Sequence, residues 1–183
     1  MFVTRDPLAR YVSGFGSRLR QGAPSHNVPW TDDERIAFGH FPTPESLALA
    51  LDPQHPEHER ALHAMRSISH LNCYYSDWFG SEQELEKRAG DVLFIGRTES
   101  LDADFAALRA ALELPGGLAL PGDARAANRT SGGSAPALSA RASTLLKDWY
   151  AADYRFLDWC THWRREQGGP VARRFLPPAG RPE

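Results

Sequence analysis

The chain changes from strand to helix within its first eight residues. Phe2, Val3 and Thr4 favour strands. Asp6 and Pro7 follow almost at once, and these residue types are preferred at the N-cap and the first position of a helix. Apolar residues then recur at helical spacing, at Leu8, Tyr11, Val12, Phe15 and Leu19. A chain with this beginning is restricted to folds in which a strand is followed directly by a helix.

A second strand is predicted near the middle of the chain. Residues 91–96 form a compact apolar run between helix-breaking residues, which is typical of a buried parallel strand. Ser100 is the predicted N-cap of a helix that follows this strand. Two strands, each followed by a helix, indicate an α/β fold with a few strands surrounded by many helices.

The remaining segments are mostly helical in pattern. Helices are predicted to begin at Thr43, Pro56 and Ser81, and a final one to run from about Leu138 to Trp163. Residues 115–137 are rich in Gly, Ala, Pro and Ser and are predicted to form a long loop. We therefore expect a single domain over residues 1–165 and a flexible tail over residues 166–183.

Length and composition exclude several classes of protein. A chain of 183 residues can bury a core without disulfides or structural metal. The two cysteines, Cys73 and Cys160, fit a reducing compartment, so a cytoplasmic location is expected. No apolar run approaches the ~18 residues needed to cross a bilayer, so no membrane span is expected. Abundant Arg and Ala, with only two lysines, suggest a GC-rich bacterial genome.

Charge is distributed unevenly although the net charge is only −2. Residues 1–20 and 124–183 carry an excess of basic side chains, whereas residues 21–123 carry an excess of acidic ones. This pattern argues against a uniformly basic surface and hence against a nucleic-acid partner. It favours a small polyanion bound at one site, and the alternative is uneven surface charge without a functional meaning.

The first strand and helix carry the residues with the clearest chemistry. Arg5 follows the strand, at the end where ligands gather in α/β sheets, and precedes a helix N-terminus that attracts anions. Arg10 and Ser13 are three residues apart and share a helix face. Guanidinium and hydroxyl groups suit the oxygens of a phosphate. The alternative is a capped helix with solvated arginines.

Three segments resemble a known family. Residues 2–15 resemble the 3′-phosphate-binding motif R-[DN]-P-x-x-R-x-x-S of sulfotransferases that use PAPS (3′-phosphoadenosine 5′-phosphosulfate). Residues 94–105 resemble the segment F-I-G-R-x-E-x-L-x-x-D-F, and residues 149–156 resemble the C-terminal helix Y-x-x-D-Y-x-F. The likeness is to the carbohydrate-type group, often called sulfotransferase family 2, and it covers roughly residues 2–160.

The resemblance implies a P-loop-like α/β fold with a parallel sheet. It implies that a sulfuryl group passes from PAPS to a hydroxyl or amine of a carbohydrate or small-molecule acceptor, without a metal. Arg5 and Ser13 would hold the 3′-phosphate of the donor, and Arg10 would assist them. Arg129 lies where relatives carry a His-x-Asn-type segment near the nucleotide, which makes it a further candidate ligand.

One part of the family pattern is absent from the sequence. The loop that holds the 5′-phosphosulfate, P-K-x-G-[ST]-[ST]-like, should precede the 3′-phosphate motif, but only Met1 precedes Phe2. Such a loop stabilises the negative charge that develops during transfer. We therefore expect an N-terminally truncated sulfotransferase, and the alternative is an inactive fragment or a nucleotide-binding remnant. A phosphoryl transferase is disfavoured because no G-K-[ST] sequence occurs.

The catalytic base is not identified by any motif. His70 is the candidate, and the alternative is a histidine of the core or surface. His55, His58 and His63 cluster around a predicted helix start, but they lack the spacing of a zinc motif, so no metal site is predicted.

Two further sets of residues have open interpretations. Arg97 and Glu99 follow the second strand and form either an ion pair that orders the turn or a substrate contact. Several aromatic residues are candidates for a wall that faces the acceptor: Tyr74, Tyr75, Trp78 and Phe79. The aromatic residues between 149 and 163 are predicted to pack in the core.

Overall fold

The structure is a computed structural model that describes residues 1–24, 26–122 and 137–176. It contains two strands, β1 (Phe2–Thr4) and β2 (Ile95–Arg97). The helices in chain order are α1 (Pro7–Leu19), α2 (Asp32–His40), α3 (Pro44–Leu49), α4 (His58–Ser67), α5 (Ser76–Phe79), α6 (Glu82–Lys87), α7 (Leu101–Ala111), α8 (Ala140–Trp149) and α9 (Ala151–Gln167). No helix among the described residues is both long enough and apolar enough to cross a membrane.

Contacts divide the chain into two compact units. The first unit comprises Met1–Arg5, Trp78–Pro121 and Arg155–Glu183. The second unit comprises Asp6–Asp77 and Gly122–Tyr154.

The first unit contains the sheet. β1 and β2 are parallel, with Phe2 opposite Ile95 and Thr4 opposite Arg97. The buried Thr4 hydroxyl donates a hydrogen bond to the carbonyl oxygen of Gly96 at 3.1 Å. The α/β class and the parallel pairing are therefore confirmed. β2 starts later than expected because a one-turn 3-10 helix occupies Ala89–Asp91.

The chain after α9 packs into the first unit. The amide of Ile95 donates to the carbonyl of Pro170 at 2.9 Å, and Val171 forms an antiparallel bridge with Phe94. Phe94, Leu108 and Val171 form a small buried cluster. Ordered structure therefore continues beyond the expected start of a tail at residue 166, because apolar side chains after α9 cover this cluster.

The second unit contains the larger core. The apolar face predicted for α1 is buried, and Tyr11 and Phe15 are fully inaccessible. They pack with buried side chains of α3, α4 and α8, including Leu47, Met65 and Leu146. The Tyr11 hydroxyl, which burial would otherwise leave unsatisfied, donates to the carbonyl of Pro44 at 2.8 Å.

Local capping sets most of the helix starts. The N-caps predicted at Asp6, Thr43 and Ser81 are confirmed, since each side chain accepts a hydrogen bond from an amide in the first turn. Ser100 is the N-cap residue of α7, as predicted, but its side chain makes no capping hydrogen bond, and its hydroxyl donates to the Asp104 carboxylate at 2.9 Å instead. The last predicted helix is divided into α8 and α9 at Tyr150.

Candidate functional site

The N-terminus of α1 is satisfied by side chains of the second unit. Asp6 accepts from the amide of Ala9 at 2.9 Å and from the Tyr154 hydroxyl at 3.2 Å. Burial and the Asp6 carboxylate raise the pKa of Tyr154, and a hydrogen bond from the backbone of Leu8 opposes that rise. These amides are therefore engaged, and the prediction that the helix N-terminus presents free amides to an anion is wrong.

Arg10 is engaged by a buried carboxylate. Its guanidinium forms an ion pair with Asp153, which is fully buried, and it lies over the rings of Tyr75 and Tyr150, 5.1 and 5.3 Å from their centroids. The second Asp153 oxygen accepts from the amide of Tyr75 at 2.9 Å. Burial lowers the pKa of Arg10, but Asp153 raises it by more, so the guanidinium stays charged. Arg10 therefore holds this ion pair rather than facing an open phosphate site.

These contacts join two segments that are far apart in sequence. Asp6 and Arg10 belong to the motif at residues 2–15, whereas Tyr154 and Asp153 belong to the motif at residues 149–156. The sequence predicts core packing for the aromatic residues of the second motif and assigns no role to Asp153, so both partners were missed. An aspartate within an aromatic-rich helix was the available indication, because a buried carboxylate requires a cation or several donors.

Ser13 is the motif residue on α1 that retains hydrogen-bonding capacity. Its side chain is half-buried, and its hydroxyl has no hydrogen-bond partner in the part of the chain that the structure describes. Arg5 is half-buried and immediately precedes the Asp6 cap in the chain. Arg129 and most of the predicted loop lie outside the described residues.

His70 lies against α1 at Gly14, the residue that follows Ser13 in the chain. A Cβ atom placed on Gly14 would lie 3.1 Å from the His70 Cβ and 3.3 Å from its carbonyl oxygen. His70 is exposed and has a φ of 63°, and the amide of Leu71 donates to the carbonyl of Ser69 at 2.6 Å across it. The same amide donates to the carbonyl of Ile68 at 3.1 Å, so His70 is the third residue of a β-turn, with a positive φ that is uncommon for residues other than glycine.

Two buried side chains hold this turn on either side of His70. Glu34 accepts from the amide of Ser69 at 3.2 Å, and the Tyr150 hydroxyl donates to the carbonyl of Leu71 at 3.0 Å. Glu34 also forms a buried bidentate pair with Arg18, with distances of 2.5 and 2.7 Å. Burial raises the pKa of Glu34, but Arg18 and the backbone amides lower it by more, so it lies below its ordinary value.

In the first unit, Asp104 orders the turn after β2. Its carboxylate accepts from the amide of Arg97 at 2.8 Å, from Ser100, and from the Arg164 guanidinium at 2.8 and 2.9 Å. The Arg97 side chain donates to Thr161 at 2.7 Å. The residues that sequence reasoning missed here are Asp104 and Arg164, which are 60 positions apart.

The other candidate residues have separate partners. No group of three or more His, Cys, Asp or Glu side chains is placed to hold a metal among the residues described. His63 faces Asp33 at 3.4 Å. The predicted aromatic wall is divided between the two units, since Tyr75 belongs to the second and Phe79, stacked on Phe156, to the first.

In the second unit, Ser13 and Gly14 are consecutive residues of α1, and His70 packs against the helix at Gly14. A hydroxyl and an imidazole are both able to donate hydrogen bonds to an anion. Comparison with protein-family models, curated proteins and solved structures finds no match for the chain.

Proposed function

We propose that the chain is part of a PAPS-dependent sulfotransferase of the carbohydrate type and that it binds the 3′-phosphate of the donor through Arg5 and Ser13. The pairing of the motif at residues 2–15 with the motif at residues 149–156 carries this proposal. Two segments that resemble the same family, far apart in sequence, are joined by the ion pair between Arg10 and Asp153 and by the hydrogen bond from the Tyr154 hydroxyl to Asp6. They are therefore parts of one structural arrangement rather than two unrelated likenesses.

The strand-helix order supports the finer fold in this proposal. β1 and β2 are parallel, and each is followed in the chain by a helix, α1 or α7. A parallel sheet whose strands are followed by helices is the basis of a P-loop-like fold. Asp6 and Pro7 begin α1 as the motif R-[DN]-P requires.

The proposed reaction is transfer of a sulfuryl group in line. An acceptor hydroxyl gives up its proton to a base and its oxygen attacks the sulfur of PAPS, while the bond from sulfur to the phosphate oxygen breaks and that phosphate oxygen keeps the electron pair. The nucleotide leaves as adenosine 3′,5′-bisphosphate. Arg5 and Ser13 hold the 3′-phosphate and so fix the position of the sulfuryl group. Arg10 does not contact the phosphate in this proposal, because it is paired with Asp153.

A second candidate function is nucleotide binding without turnover. The two lysines, Lys87 and Lys147, are exposed on α6 and α8, and neither is adjacent to a glycine in the sequence. A lysine in a glycine-containing loop is the usual support for the leaving phosphate in such a transfer. This observation favours a chain that binds the bisphosphate alone.

Calorimetric titration tests the binding site. We expect adenosine 3′,5′-bisphosphate to bind more tightly than adenosine 5′-monophosphate. Arg5→Ala should lower the affinity for the bisphosphate by roughly tenfold or more, because a charge-assisted hydrogen bond contributes about 1.5–3 kcal/mol. Ser13→Ala should lower this affinity by a smaller factor. Arg20→Ala and Ser17→Ala are the matched controls, and they should leave the affinity for the bisphosphate unchanged.

Equal affinity for the two nucleotides, or binding indifferent to Arg5, would contradict the proposal. Transfer of radiolabelled sulfate from PAPS to a panel of monosaccharides and disaccharides then separates the two candidates. Bisphosphate binding accompanied by transfer supports the sulfotransferase, and binding without transfer to any of them supports the second candidate.

A further inference from the structure

His70 is held in an unfavourable backbone conformation by its surroundings. A positive φ at a residue other than glycine costs free energy and persists only where neighbouring groups impose it. Here Glu34 accepts a hydrogen bond from the amide of Ser69, and the Tyr150 hydroxyl donates one to the carbonyl of Leu71. The side chains of Glu34 and Tyr150 are both buried. The third constraint is α1, which approaches the turn at Gly14. Residues restrained in this way are concentrated at binding and active sites.

The restraint fixes an exposed imidazole against α1 at Gly14, the residue after Ser13. Because Gly14 has no side chain, the His70 Cβ lies directly against α1, and the imidazole extends from there into solvent. Ser13 is the preceding residue of α1, and at 100° per residue it lies on the side of the helix adjacent to Gly14. Because consecutive Cα atoms are about 3.8 Å apart, the contact at Gly14 places the His70 Cβ within about 8 Å of the Ser13 Cα, a separation that a serine hydroxyl, a phosphate and an imidazole can span together.

We propose that His70 is a further ligand of the anion bound at Ser13 and that protonation of its imidazole strengthens this binding. The inference rests on the proposed phosphate site at Arg5 and Ser13. Both ring nitrogens of an imidazolium donate hydrogen bonds, whereas a neutral imidazole donates only one. His70 therefore adds more to the affinity for a phosphate monoester when its imidazole carries a proton than when it is neutral.

The charged groups around the turn keep their charge in the relevant range of pH. Glu34 is paired with Arg18, which faces it from α1. Arg10, one turn before Gly14 on the same helix, is paired with Asp153.

The remaining ionisable groups near the turn are aromatic hydroxyls and one thiol. Burial raises the pKa of both Tyr150 and Tyr74 above that of a free tyrosine. Cys73 is exposed and follows the turn by three positions. Imidazole is the side chain whose charge ordinarily changes between about pH 5 and pH 8. A difference in pH dependence between the wild type and a His70 variant is therefore assigned to the His70 imidazole.

Calorimetric titration with adenosine 3′,5′-bisphosphate at about pH 6 and about pH 8 tests the inference. The phosphates of the ligand also titrate in this range and affect every protein alike. The affinity ratio between the two pH values is therefore compared between the wild type and its variants. We expect the affinity ratio between the two pH values to be roughly tenfold larger for the wild type than for His70→Asn. Asparagine tolerates a positive φ, so the turn is retained. His63→Asn, at another exposed histidine, should behave as the wild type.

Nuclear magnetic resonance of the unaltered protein provides a second measurement. The inference requires that saturating bisphosphate move the titration midpoint of the His70 ring to higher pH, because proton and anion binding strengthen each other equally. An unchanged midpoint, or the same affinity ratio in His70→Asn, would overturn it while leaving the proposed function intact if Arg5→Ala still weakens binding. Absence of bisphosphate binding in every protein would overturn both.

Discussion

Gly14 is the residue at which α1 comes closest to the His70 turn. An added Cβ would lie 3.1 Å from the His70 Cβ and 3.3 Å from its carbonyl oxygen. The turn cannot easily move away, because Glu34 and Tyr150 hold it on both sides. Glycine is therefore required here by packing, although it is unfavourable within a helix.

We expect Gly14→Ala to destabilise the protein by about 1 kcal/mol in denaturant unfolding. Overpacking costs about 1–3 kcal/mol, and the gain in helix propensity offsets up to about 1 kcal/mol of this. Gly39→Ala is the matched control, since Gly39 lies in α2 with nothing within 4 Å of an added Cβ. It should stabilise the protein by up to about 1 kcal/mol. A stabilising Gly14→Ala would show that the turn yields.

Single residues were predictable from sequence where their interaction is local. Asp6 caps α1 through an amide only three positions away, and this is visible in the order of residues. The partner of Arg10 was not predictable, because Asp153 is 143 positions distant and meets it only in the folded unit. For the same reason the sequence suggested that Arg10 was free to bind phosphate.

At the scale of elements, α1 is fastened to the junction of α8 and α9 at two points. Arg10 pairs with Asp153, and Asp6 accepts a hydrogen bond from Tyr154. In the pair of Arg10 with Asp153 the carboxylate is buried, so loss of the Arg10 guanidinium would leave the buried charge of Asp153 without a partner.

Arg10→Ala and Arg35→Ala provide a matched comparison of two helical arginines that are paired with aspartates. We expect Arg10→Ala to lower the free energy of unfolding by about 3 kcal/mol, because Asp153 remains buried. Arg35→Ala should change it by no more than about 0.5 kcal/mol, because Arg35 and Asp32 are both exposed. Equal effects in urea unfolding would show that the Arg10 pair adds nothing beyond a surface contact.

Element boundaries were less predictable than element types. The α1 start and the parallel pairing of β1 with β2 followed from capping and from apolar runs. The division between α8 and α9 did not, because apolar periodicity continues through Tyr150, whereas the backbone of Tyr150 leaves the helical conformation. The same limit applies to Val171, whose burial depends on Phe94.

At the scale of the whole molecule, each unit contains a carboxylate with a lowered pKa. For Glu34, burial acts against the shift and Arg18 outweighs it. For Asp104, burial likewise acts against the shift, and Arg164 together with the amide of Arg97 outweighs it. A carboxylate whose pKa is lower in the folded than in the unfolded chain stabilises the fold above its unfolded pKa. That stabilisation is lost as the pH falls through the folded pKa.

We expect the free energy of unfolding to fall as the pH decreases below about 4.5, the range in which free carboxylates gain protons. Glu34→Gln should be less stable than the wild type at neutral pH, and the difference should shrink towards about pH 3. Glu86→Gln, at an exposed position of α6, should follow the wild-type curve. Urea unfolding at a series of pH values measures these free energies. If Glu34→Gln differed from the wild type by the same free energy of unfolding at every pH, the stabilising role of the Glu34 carboxylate would be refuted.

The long-range pairs on α1 also define how the sequence can diverge. A carboxylate at position 153 is tolerated in its buried position because position 10 provides a cation, so a change at one site without the other is strongly disfavoured. The same dependence links positions 18 and 34. In any group of related chains these pairs should vary together or not at all. Such covariation would identify relatives by their paired positions even where overall sequence similarity is too low to detect.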